Sequence, residues 1–224
     1  MRVLLAGCSW ACGEWGWNDH NQYRLRHFGL QYYLRRAGHS VQVVAESSSS
    51  NSAQLNRIHR ALARASFDRV IFIQTDPLRD ADSIPTTLAE HTQLEEHLLH
   101  TLYQGLAQID CLVLLVGGNS PVCTDLVPTG SVRVVETDWV QAMLGYRPYA
   151  PIARMWHYTD CAPDLLAWWE QTESARAHFI AQCKQTGTPE NEWFWPDGYH
   201  PNRKGHRWLA DRLLPVLSNS APRA

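Results

Sequence analysis

Asp197 and His200 stand three positions apart in the stretch Trp195-Pro196-Asp197-Gly198-Tyr199-His200-Pro201. A carboxylate beside an imidazole can fix its tautomer and stabilise its charged form, which is the acid-and-base share of a hydrolytic triad. The flanking prolines fix their own φ and push Trp195 and His200 toward extended geometry. The segment therefore reads as a stiff loop presenting both side chains together. A nucleophile is missing from it. The residue types able to serve lie near the other end of the chain, in Gly7-Cys8-Ser9-Trp10-Ala11-Cys12. Ser9 would need an adjacent base. Cys8 or Cys12 would need a lowered pKa, which a helix N-terminus can supply.

The elements between these two segments decide whether they can meet. Arg2–Gly7 is a short apolar run ending in glycine and reads as a buried strand. Further strands are expected at Val41–Ala45, Arg69–Ile73, Asp110–Val116 and Val132–Val135. Helical patterns cover about Tyr23 to Arg36 (Leu25, Phe28, Tyr32, Tyr33), the segment through Leu55, Ile58, Leu62 and Ala65, then Leu88 to Leu106 and Asp164 to Gln185. Asn202 is a good N-cap for a last helix carrying Leu209, Leu213, Val216 and Leu217 on one side. Strands alternating with helices, each strand ending in a polar or glycine-rich turn, indicate a doubly wound α/β sandwich. In such sheets, sites form beyond the carboxyl ends of the strands. Ser9, the run Glu46 to Ser52 and Gln74-Thr75-Asp76 all fall there. One domain spanning 1–217 is expected, followed by a tail at 218–224. Gly145 to Pro163 is irregular and rich in proline and aromatics, and reads as an insertion, either a lid over the site or an ordinary packed loop.

Gly7-Cys8-Ser9 after the first strand and Asp197-Gly198-Tyr199-His200-Pro201 before the last helix together resemble the SGNH (GDSL-type) hydrolase superfamily. The resemblance covers the whole order of strands and helices except the Gly145–Pro163 stretch. It implies a flavodoxin-like three-layer α/β/α sandwich with a mostly parallel five-stranded sheet. It implies Ser9 as nucleophile, His200 as base and Asp197 as the group orienting that base, with no cofactor and no metal. The implied oxyanion hole draws on the backbone N–H of Ser9, a backbone N–H near Ser50 and a side-chain donor. Here the chain departs from the family: Cys8 replaces the aspartate of G-D-S, Ser50 falls where the family has glycine, and Thr75 falls where it has asparagine. Asn51 or Asn119 could supply the amide instead. The implied activity is ester hydrolysis through an acyl-enzyme, on a small acyl ester or an acetylated carbohydrate. The alternative is a non-catalytic relative that binds a glycan or protein partner at the same rim. A weaker option is acyl transfer, with the insertion shielding the acyl-enzyme from water.

Other features point elsewhere less strongly. A formal net charge of -2 gives no electrostatic case for nucleic acid or an anionic membrane. No apolar run approaches a bilayer's span. Six cysteines without C-x-x-C spacing read as reduced thiols of a cytoplasmic protein. Leu4-Leu5-Ala6-Gly7-Cys8 mimics a lipoprotein cleavage site, but only seven residues precede Cys8, too few for an apolar core. His97 and His100, with His91 earlier, lack a third patterned metal ligand. His206 reads as a surface or supporting residue. Gly7, Gly13 and Gly16 do not make a dinucleotide fingerprint. Trp10, Trp15, Trp195 and Tyr199 flank the two reactive segments and could line a substrate pocket or pack the sheet edge.

Overall fold

The apolar runs fold as the pleat requires, with alternate side chains on opposite faces. The computed structural model describes residues 1–17, 23–150, 161–194 and 200–218. Its centre is a parallel five-stranded sheet, formed by β1 (Arg2–Gly7), β4 (Ser40–Val43), β5 (Arg69–Gln74), β6 (Leu112–Gly117) and β7 (Val132–Glu136) in the order β4-β1-β5-β6-β7. All four pairings are parallel. This is the flavodoxin-like order, with its switch point beside β1. Two further strands, β2 (Glu14–Trp17) and β3 (Tyr23–His27), form a separate antiparallel hairpin.

Val3, Leu5, Ile71, Ile73, Leu114 and Val116 face one layer, against Leu30 and Leu34 of α2 (Gly29–Arg36), Phe179 of α6 (Pro163–Lys184) and Leu209 and Leu213 of α8 (Arg203–Ser218). Leu4, Ala6, Val70, Phe72, Val113 and Leu115 face the other, against Ile58 of α3 (Asn51–Leu62) and Leu99, Leu102, Tyr103 and Leu106 of α4 (Leu88–Ala107). Strands covered on both faces can be near-continuously apolar, and these are.

Three differences from the sequence reading stand out. The helix expected over Tyr23–Arg36 begins only at Gly29, and its first part is β3. Arg24 and Arg26 are exposed while Leu25 and His27 are half-buried, a period of two that the later aromatic residues obscured. Two short helices, α5 (Trp139–Leu144) and α7 (Pro189–Trp193), were not anticipated. Both are under two turns long, too short for an apolar period to emerge. The expected insertion falls mostly on 151–160 and the expected tail mostly on 219–224, both outside the described residues, and α8 runs to Ser218. Among the described residues, no helix is long and apolar enough to cross a membrane.

Candidate active site

Five parallel strands put five carboxyl ends on one rim. Ser9 reaches that rim because the chain turns from β1 straight into the short helix α1 (Ser9–Cys12). Gly7 makes the turn possible. Its φ is +141°, and a Cβ there would lie 2.7 Å from the Ile73 carbonyl and 2.9 Å from the Ala11 Cβ. The turn is held from the neighbouring elements. The Gly7 N–H donates to Gln54 Oε1 (3.2 Å), and the Gly7 carbonyl accepts the Glu46 N–H (3.2 Å).

His200 arrives at the same rim from the far end of the sequence. Its Nε2 lies 2.9 Å from Ser9 Oγ, across a separation of 191 residues. Ser9 is 5% exposed and His200 8% exposed, so the pair is screened from bulk water. The indole N–H of Trp15 donates to the Ser9 carbonyl at 2.9 Å, and its ring centroid lies 6.2 Å from the His200 ring. Pro201 and Phe194 form an isolated bridge that closes the His200 loop at its base. Asp197, Trp195 and Tyr199 lie outside the described residues.

Neighbouring loops complete the rim. Ser50 caps α3, its hydroxyl accepting the Ala53 N–H at 3.3 Å. Asn51 is buried, and its amide is committed at both ends: Oδ1 accepts the Thr75 N–H and Nδ2 donates to the Thr75 carbonyl, each at 3.0 Å. The sequence offered Asn51 as an oxyanion donor; in the fold it instead holds the loop that carries Thr75. Thr75 itself is fully buried, and its hydroxyl has no hydrogen-bond partner. Asn119 follows β6, is 5% exposed, and its carbonyl accepts Arg147 Nη1 at 3.2 Å. Arg147 also grips Asp138 in a two-pronged ion pair (2.6 and 2.9 Å), pinning this loop to the start of α5. Gly118 lets the loop lie flat on the rim, since a Cβ there would come 2.6 Å from Ile73 Cγ2 and 2.7 Å from the Gln74 carbonyl.

Trp10, a pocket candidate in the sequence, is a core residue, 1% exposed. Its ring packs edge-on to Trp139 (5.5 Å) and Phe194 (6.3 Å) beneath the site. An α-helical first turn sends position 10 inward when position 9 faces the rim, a geometry the strand-and-loop reading of this segment did not contain. The thiol alternatives also lose ground. Burial pushes Cys12 up to about 12, so it stays protonated at neutral pH, and Cys8 is 1% exposed. Among the described residues, no group of three or more His, Cys, Asp or Glu is disposed to hold a metal ion. His206 is fully buried against Trp139, and burial lowers its imidazole to about 3, so it is neutral.

Glu14 was not singled out by sequence. It is 1% exposed, and its carboxylate accepts the backbone N–H of Arg203 together with Nε and Nη2 of the same residue, both at 3.2 Å. An acid between a glycine and a tryptophan at the start of a strand carries no motif, so only the fold could reveal it.

Asp76 gives a pH prediction. Its Oδ1 accepts the Leu78 N–H at 3.0 Å, while Oδ2 is buried without a partner. Burial pushes the carboxyl up to about 6, with Asp80 adding to the rise and the Leu78 N–H and Arg79 opposing it. Nearby Glu95 is pushed up to about 7 by burial and by Asp76. The folded protein thus binds the Asp76 proton more tightly than the unfolded chain. The stability from this group is full at low pH and is lost as pH rises through about 6. Asp76→Asn keeps the cap and removes the charge. It is expected to stabilise the protein by roughly 2–3 kcal/mol at pH 8 and by almost nothing at pH 4, as read by denaturant unfolding at both pH values.

No family model and no curated protein matches the chain. Several solved structures are similar over nearly their whole lengths. A lipolytic protein of the G-D-S-L family from Veillonella parvula is 15% identical with a TM-score of 0.47, covering 98% of this chain and 99% of that one. The lipase/acylhydrolase from Enterococcus faecalis is 13% identical, TM-score 0.45, covering 100% and 99%. An acetylxylan esterase from Geobacillus stearothermophilus is 15% identical, TM-score 0.43, covering 100% and 96%. The chain has a flavodoxin-like α/β/α fold, its sheet in the order β4-β1-β5-β6-β7.

Proposed function

We propose that this protein is a serine ester hydrolase of the SGNH superfamily, acting through an acyl-enzyme. The observation that carries the reading is the 2.9 Å contact between His200 Nε2 and Ser9 Oγ, made by two residues 191 positions apart in a buried setting at the sheet's carboxyl rim. A chance surface contact would be neither buried nor at the switch point of a doubly wound sheet.

The chemistry follows from the atoms. Ser9 Oγ attacks the acyl carbon while His200 Nε2 takes its proton. Asp197 would accept the other ring N–H and hold the tautomer. The imidazolium then returns the proton to the departing alcohol, leaving an acyl ester on Ser9. Water, deprotonated by His200, attacks that ester, and the imidazolium returns the proton to Ser9 Oγ as the acid leaves. The developing oxyanion would be met by the Ser9 N–H at the start of α1 and by a backbone N–H of the loop ending at Ser50. The Thr75 hydroxyl, fully buried behind the rim, takes no part. The substrate class we propose is a small acyl group, acetyl among them, as a simple ester or on a carbohydrate.

Thr75→Val tests whether the buried hydroxyl stays out of the chemistry. The substitution keeps the shape and removes the hydroxyl. It is expected to leave kcat nearly unchanged, because the hydroxyl has no surface a substrate could touch. Stability is expected to hold or rise, because an unpaired buried hydroxyl is removed. A fall of about 100-fold in kcat with undiminished stability would instead mark the hydroxyl as an oxyanion donor. The function itself is tested with a panel of acyl esters and acetylated sugars on wild type and Ser9→Ala. Turnover of at least one substrate, lost in the variant, supports hydrolysis. No turnover of any substrate by wild type would favour a binding protein.

A further inference from the structure

We infer that Glu14 is a positioning residue that sets the distance between Ser9 and His200. The inference rests on the hydrolase reading for its kinetic consequence, but not for its geometry. Glu14 lies five residues after Ser9, and Arg203 three residues after His200. The carboxylate of Glu14 therefore joins the ends of two short tethers whose other ends are the reacting pair. It does so with an unusual grip. One oxygen accepts the Arg203 backbone N–H and Nε (3.2 Å), and the other accepts Nη2 at 3.2 Å.

Two features make this more than a surface ion pair. The Glu14 side chain is 2% exposed, whereas that of Arg203 is 58% exposed. The carboxylate is thus the buried member. It binds the first turn of the 16-residue helix α8, where backbone N–H groups and the helix dipole favour a negative charge. Asn202 caps the same turn from the other side, its Oδ1 accepting the Lys204 and Gly205 N–H groups at 2.9 and 3.2 Å. The second feature is the next residue, Trp15. Its indole N–H holds the Ser9 carbonyl at 2.9 Å, and its ring stands 6.2 Å from that of His200. Glu14 fixes where this tryptophan sits relative to α8, so one dipeptide touches both halves of the pair. Gly13 lets the chain pass closely here: its φ is +133°, and a Cβ would lie 2.3 Å from the His27 carbonyl. Misplacement of reacting groups by about 1 Å can cost 100-fold in rate.

Glu14→Gln is the test, because it keeps size and one acceptor but loses the charge and one oxygen's full capacity. Amide and indole hydrogen exchange is followed by NMR alongside steady-state kinetics. Faster exchange is expected at both the Arg203 N–H and the Trp15 indole N–H, with kcat down about 10- to 100-fold and KM within twofold. Arg203→Ala, which removes the exposed guanidinium and leaves the backbone bond, is expected to show the same pattern at smaller size, and serves if Glu14→Gln does not fold. Faster exchange at Arg203 alone, with Trp15 protection and kcat unchanged, would overturn the inference and leave Glu14 a helix cap only. If wild type hydrolyses no ester, the exchange result still decides the geometric coupling, so the two failures are distinguishable.

Discussion

Ser9→Ala is expected to lower kcat for ester hydrolysis about a million-fold while leaving the fold intact. The magnitude follows from how triads behave: removing the nucleophile alone costs about as much as removing the whole constellation, near 2 × 10⁶ in a well-studied protease. Structural tolerance follows from the site. Ser9 is in the first turn of α1, where alanine is well accepted, and its hydroxyl's recorded partner is His200 Nε2. The turn itself depends on Gly7 and on bonds to Gln54 and Glu46, none of which the substitution touches. KM is expected to change little, since the lost interaction belongs to the transition state. A fall in kcat below tenfold would place the nucleophile elsewhere, and burial leaves Cys8 and Cys12 poor heirs.

Trp10→Ala is the largest expected effect on stability, about 3–5 kcal/mol. The ring is 1% exposed and fills the space under the site, between the Trp139 and Phe194 rings. Edge-on aromatic contacts add to the area term. The cavity left behind is ringed by Trp139, Phe194 and Gly118, anchored on different elements, so collapse is only partial. For a chain of this length the midpoint of thermal unfolding is expected to drop on the order of 10 °C. A drop of less than about 3 °C would mean that the ring is not part of the core. Because Trp10 adjoins Ser9, activity is expected to fall ahead of unfolding, as the floor of the site loosens.

These two neighbours show what the sequence could and could not reveal. The place of Ser9 just beyond β1 was legible because a glycine-terminated apolar run followed by a polar residue has a meaning in a parallel sheet. Trp10 was not, because its burial depends on the α1 turn, and four residues are too few to show a helical period. The five sheet strands were legible as apolar runs ending in polar or glycine-rich turns, most plainly β1, β5 and β6, which are buried on both faces. The β2–β3 hairpin was missed for the opposite reason: Arg24 and Arg26 on its open face make half the segment polar. Asn51 shows a third limit. Its residue type suits an oxyanion hole, yet its amide is committed to the Thr75 backbone, a fact set by a contact 24 positions away. Glu14 is similar, its meaning residing in a partner 189 positions distant.

The most direct test is covalent. Wild type and Ser9→Ala are incubated with a fluorophosphonate, which reacts with activated serine hydroxyls, and the adduct is mapped by peptide mass spectrometry. One adduct per wild-type chain, on Ser9, and none on Ser9→Ala is the expected result. Labelling that persists in Ser9→Ala, or wild type that stays unlabelled while folded, would contradict the assignment of Ser9 and His200 as a reacting pair.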